Sequence, residues 1–107
     1  NPQMIIDIED MYIKAANENK ILVMPVGIAF EKAYKKKPNF NLHKDYDGTH
    51  PNLFGTYLAS CIVFSSITQK SPLLVEYDYF GKISIEDRTF LQNIAHETIE
   101  DFFGIKL

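Results

Sequence analysis

The stretch Asp47-Gly48-Thr49-His50-Pro51-Asn52 brings together residue types that could do chemistry. A histidine serving as a general base must be held in one tautomer and one orientation. A carboxylate accepting from its Nδ1–H does both, and it stabilises the imidazolium that forms. Asp47 and His50 stand three positions apart, so a tight turn can bring them together without any long-range element. Gly48 lets the backbone turn sharply. Pro51 fixes φ just after the histidine and prepares a helix start. On its own, Asp-x-x-His is more often a local turn hydrogen bond than a catalytic pair, so the surrounding elements matter.

The hydrophobic pattern predicts those elements. Met4, Ile5, Ile8, Met11, Tyr12 and Ala15 recur at helical spacing, giving a first helix from about Met4 to Asn17. Ile21-Leu22-Val23-Met24, closed by Pro25 and Gly27, reads as a strand buried on both faces, as in a parallel sheet. Ile28 to Lys37 reads as a second helix, stopped by Lys35-Lys36-Lys37 and Pro38. The lysines there are expected to be a solvated helix end. Pro38 to Asn52 reads as a loop. Leu53 to Thr68 is a helix apolar nearly all round and therefore buried, with Gly55, Ala59 and Ser60 small enough for close packing. Ser71 to Lys82 is irregular, with weak strand alternation over Leu74 to Tyr79. Ser84 caps a final helix with Glu86 and Asp87 in its first turn. Ile85, Phe90, Leu91, Ile94, Ala95, Ile99 and Phe102 or Phe103 form its apolar stripe, and Gly104 ends it.

Composition excludes several function classes. At 107 residues the chain holds a single domain, 46% hydrophobic and 23% charged. A net charge of −3 offers neither the basic footprint of a nucleic-acid binder nor a surface for anionic lipid. Leu53 to Ile67, the longest apolar stretch, is interrupted by polar residues and falls short of the ~20 residues of a spanning helix. One cysteine forms no internal disulfide. Asn-Pro-Gln opens the chain without the basic and apolar run of a secretory signal. The compartment stays open. A first residue that is not methionine points to a trimmed or fragmentary chain. One buried strand also needs partners for its backbone groups, so the rest of its sheet is expected in a missing N-terminal segment or a second copy of the chain.

Four blocks occur in order: Val23-Met24-Pro25-Val26-Gly27-Ile28-Ala29-Phe30, Asp47-Gly48-Thr49-His50-Pro51-Asn52, Gly55-Thr56-Tyr57-Leu58-Ala59 and Lys70-Ser71-Pro72. Together they resemble the C-terminal part of the SGNH (GDSL-type) hydrolase superfamily, in the branch with a P-V-G-x-A strand end and a D-G-x-H-P block. The resemblance covers roughly Ile21 to Pro72 and extends less specifically through the last helix. It implies an α/β fold, the C-terminal part of a three-layer α/β/α flavodoxin-like domain. It also implies hydrolysis of esters, often acyl groups on carbohydrates or lipids, through a Ser-His-Asp mechanism. By position Asp47 matches the triad acid and His50 the triad base. No cofactor is implied. The family's G-D-S block, with its nucleophilic serine, and its two oxyanion-hole blocks have no counterpart here. Residues 1–107 thus resemble one segment of a larger domain. Losing a triad's nucleophile costs about a millionfold in rate in a serine protease, so the chain alone is expected to be inactive.

Other constellations compete. His43, Asp45, Asp47 and His50 could form an open, carboxylate-rich metal set, against which stands a solvated loop histidine. His96-Glu97 lacks the second histidine of a zinc helix and reads as helix surface. Asp7, Glu9 and Asp10, and likewise Glu97, Glu100 and Asp101, read as solvated faces. Cys61 reads as a small core residue, and Tyr77, Tyr79 and Phe80 as cover for the core rather than the lining of a cleft. The rival to an esterase is a non-catalytic α/β interaction module that has lost its nucleophile. The two are told apart by whether a G-D-S serine block precedes Asn1.

Overall fold

The structure, a computed structural model, describes residues 25–43, 51–78 and 81–107. Three helices dominate: α1 (Val26–Lys36), α2 (Leu53–Thr68) and α3 (Ile85–Phe103). A single 3₁₀ turn, η1 (Pro72–Leu74), lies between α2 and α3. Each helix packs against the other two, and η1 packs against α2 and α3.

The boundaries follow local chemistry. Asn52 caps α2 by accepting from the Gly55 N–H at 3.0 Å. Ser84 caps α3 in the same way from the Asp87 N–H at 3.1 Å. Gly104 ends α3 in the left-handed region, with φ 65°. Helix α1 begins at Val26, two positions before the expected start, with Pro25 before it and no side-chain cap.

Helix α2 contributes Tyr57, Leu58, Cys61, Ile62 and Val63 to the core, and α3 contributes Leu91, Ile94, Ala95 and Ile99. Ala29 and Ala33 of α1 complete the three-way contact, joined by Leu42, Val75, Tyr77 and Ile83 from the connections. Burying each large aliphatic side chain stabilises the fold by about 1.5–3 kcal/mol. Helix α2 is apolar nearly all round because it lies against both other helices. The stripe on α3 is shorter than its sequence suggests: Ile85, Phe102 and Phe103 at its two ends are exposed.

The α/β expectation is corrected here. Among the described residues there is no strand, and no layered sheet; the sole β pairing is an isolated antiparallel bridge between His43 and Pro51. The weak alternation over Leu74 to Tyr79 fails for a physical reason. Pro72 starts a 3₁₀ turn that takes in Leu74, and Val75 and Tyr77 are buried in the helical core with no strand beside them among the described residues, to which Tyr79 does not belong. The described apolar residues are buried where the helices and their connections pack together, an arrangement that needs no sheet. The expected helix at Met4 to Asn17 and the expected strand at Ile21 to Met24 lie outside the described residues.

Charged side chains tie α1 to α3. Lys36 Nζ reaches both carboxylate oxygens of Glu97, at 2.9 and 3.2 Å, and Lys32 Nζ donates to Asp101 at 3.0 Å. Lys37 Nζ sits 4.3 Å from the centre of the Phe90 ring. Of the lysine run, Lys36 is thus a partner of Glu97 and Lys37 of the Phe90 ring, while Lys35 pairs within its own helix with Glu31.

Candidate functional site

Asp47 and His50 lie outside the described residues, as do Asp45 and the rest of 44–50. The structure does describe the two ends between which that segment runs. At one end, Leu42 is fully buried. Its carbonyl accepts from the Asn52 N–H at 2.9 Å, and its own N–H donates to Tyr34 Oη at 2.9 Å. His43 pairs with Pro51 in the antiparallel bridge. At the other end, Asn52 uses its whole side chain. Its Oδ1 caps α2, and its Nδ2 donates to the carbonyls of Asn41 at 2.7 Å and His43 at 3.4 Å. A Cβ on Gly55 would collide with the Leu42 carbonyl oxygen. That glycine is therefore what lets residues 41–43 approach the first turn of α2.

Aromatic contacts steady this arrangement from beneath. Phe40 packs edge-on to Phe54 and tilted on Phe90, each with centroids 5.1 Å apart. His43 lies stacked beside Tyr34, their planes 7° apart, and edge-on to Phe30. Tyr34 Oη is 2.7 Å from His43 Nδ1. The contact engages one ring nitrogen of a residue that the sequence leaves between a metal-ligand reading and a solvated one. No group of three or more metal-ligating side chains occurs among the described residues.

A second polar cluster was not legible in the sequence. Ser71 Oγ lies 2.8 Å from His96 Nδ1, and His96 Nε2 lies 3.4 Å from Glu100 Oε2. Serine, histidine and carboxylate in contact invite comparison with a triad. Two features argue for a structural clasp instead. Ser71 Oγ accepts from the Leu73 N–H at 3.1 Å as the cap of η1. Pro72, the next residue, has no N–H to offer a developing oxyanion. Glu100 also accepts from the Leu107 N–H at 2.8 Å, so the cluster ties η1, α3 and the last residues together. His96 and Glu100, read from sequence as helix surface, are half-buried links between elements.

The third cluster is buried. Gln92 Nε2 donates to Tyr57 Oη at 3.0 Å and to the Val75 carbonyl. Burial raises the Tyr57 pKa, and the neighbouring Cys61 pushes it the same way. Burial likewise pushes the Cys61 thiol up to about 12, only partly offset by its hydrogen bond with Tyr57. A thiol held in its neutral form is a poor nucleophile. Cys61 is a core residue, as its place in an apolar helix suggests.

Comparison with family models, with curated proteins and with solved structures found no match to this chain. No helix among the described residues is long and apolar enough to cross a membrane.

Proposed function

We propose that this chain supplies the acid and the base of a serine ester hydrolase, with His50 as general base and Asp47 as the carboxylate that orients it. Polypeptide outside the chain, an upstream segment, brings the nucleophilic serine. The serine Oγ attacks the acyl carbon while His50 takes its proton. His50 then returns that proton to the oxygen of the leaving alcohol, and water releases the acyl group by the same route.

One observation supports this reading most directly. The residues flanking 44–50 are joined to each other and to the N-terminus of a buried helix through Leu42, His43, Pro51 and Asn52. A base–orienter pair works only when held to a fraction of an ångström. Tying both ends of a short segment to the core is how a loop meets that demand. The order of the Asp47-to-Asn52 and Gly55-to-Ala59 blocks supplies the chemical identity.

The test is hydrolysis of p-nitrophenyl acetate by the protein carrying its upstream sequence. His50→Ala is expected to lower kcat by roughly 10⁴-fold or more, and Asp47→Asn by a comparable factor. Equal turnover by the His50→Ala variant overturns the proposal and leaves a binding module as the reading.

A further inference from the structure

The buried face of α3 outruns the elements that cover it. Leu91, Ala95 and Thr98 lie buried at successive turns, and Phe102 is the next position on that face. It is nonetheless 44% exposed, and its neighbour Phe103 39%. The two rings meet edge-to-face with centroids 5.0 Å apart. Helix α1 brings a third apolar side chain to the same place. Lys36 pairs with Glu97 and Lys32 with Asp101, so one turn back along α1 answers to one turn forward along α3. A further turn back from Lys32 is Ile28, 48% exposed, which therefore stands at the end of the pair where the two phenylalanines are.

Opposite charges flank this patch, each on fixed backbone. Asp101 is held by Lys32 at 3.0 Å, yet its side chain remains 77% exposed. Lys106 is exposed and pairs with no carboxylate among the described residues. The chain on either side of it is anchored. The Ile105 N–H donates to the Glu100 carbonyl at 3.2 Å, and the Leu107 N–H to Glu100 Oε2 at 2.8 Å. An apolar centre with one anion and one cation at its rim complements itself when a copy is turned through a half rotation. A partner surface of uniform charge would instead meet like charge at one of the two.

We propose that this patch is a two-fold interface between copies of this chain, with Ile28, Phe102 and Phe103 at its centre and Asp101 of each copy facing Lys106 of the other. The centre supplies the apolar area that drives association. The rim charges fix the register. Three half-exposed side chains cover less than the ~800 Å² per partner of a standard interface, so the dimer is transient and depends on concentration. It is independent of the hydrolase reading, since none of these residues enters the proposed chemistry.

Sedimentation equilibrium of the chain tests this. Wild type should pass from monomer toward dimer between roughly 10 µM and 1 mM at low salt. Phe102→Ser is expected to weaken association about tenfold or more. The charge variants give the sharper arm. Asp101→Lys and Lys106→Glu each put like charges at both rim contacts of the two-fold, and each alone should associate about threefold more weakly than wild type, or worse. Mixed in equal amounts they should associate as tightly as wild type, because both contacts of the mixed dimer again pair opposite charges. A wild-type chain that stays monomeric at the highest concentration overturns the inference and leaves the patch to another segment or partner. Dimerisation that Phe102→Ser leaves untouched overturns it too, as does a mixture no tighter than its separate variants. If Phe102→Ser loses helix content by circular dichroism, the mixing result decides alone.

Discussion

The carbonyl oxygen of Leu42 occupies the space where a side chain on Gly55 would begin. The chain before the 44–50 segment and the first turn of the helix after it are therefore in backbone contact, which only a residue without a Cβ allows. Gly55→Ala forces the two apart. We expect a loss of about 1–3 kcal/mol in urea unfolding, the range for overpacking a tight site. If the proposed ester hydrolysis holds, its kcat should fall too, because the ends of the segment move with the displaced carbonyl. Unchanged stability would mean that residues 41–43 do not hold against α2.

Asn52 does three jobs with one side chain, and substitutions can separate them. Asn52→Ala removes the cap and both donated bonds and is expected to cost about 1–2 kcal/mol. Asn52→Asp keeps the capping oxygen for the Gly55 N–H but replaces the donor to Asn41 with a second acceptor. Its helix should stay capped while the link across the segment is lost. Unfolding should report most of its stability retained, whereas kcat should fall nearly as far as in the Ala variant. Equal kcat for wild type and Asn52→Asp would detach the cross-link from function.

Ser71→Ala separates the clasp from the proposed chemistry. It removes the cap of η1 and the partner of His96, for an expected loss of about 1 kcal/mol. Turnover of p-nitrophenyl acetate should be unaffected, since the serine that attacks is assigned to another segment. A fall of a thousandfold, with the fold intact by circular dichroism, would make Ser71 the nucleophile and overturn that assignment.

Cys61 and Tyr57 predict alkaline destabilisation. Both are acids that burial holds in their protonated, neutral form. Above a pH of about 9 the unfolded chain releases the Cys61 proton while the folded chain keeps it, so the folded state binds more protons and stability falls as pH rises. The contribution is full below pH 9 and is lost between there and about 12, the folded value for Cys61. Tyr57 adds a fall that begins near pH 10. Cys61→Ala should flatten the pH dependence of the urea midpoint between pH 9 and 10, by at most about 1.4 kcal/mol over that unit. An unaltered slope would mean that the thiol is reached by solvent.

Local chemistry was legible where it depends on neighbours in the chain. The span of α2 matches its apolar run from Leu53 to Thr68, because a helix in contact with two others needs no polar face. The ends of α3 match too, since Ser84 and Gly104 act within one turn of themselves. Capping and the left-handed stop are short-range effects, so residue type and order suffice.

Tertiary packing decided the rest. Alternation over Leu74 to Tyr79 suggested a strand, but alternation records only which side chains are buried. Whether a sheet or a pair of helices buries Val75 and Tyr77 depends on what lies across from them. Lys36 and Glu97, Ser71 and His96, Tyr57 and Gln92 were each readable as residue types and unreadable as pairs. They are far apart in the chain and meet only once the three helices have set their mutual positions. A sequence holds the periodicity of each element and the chemistry of each side chain; the register between elements comes from burying their apolar faces together, and that register chooses which polar groups touch.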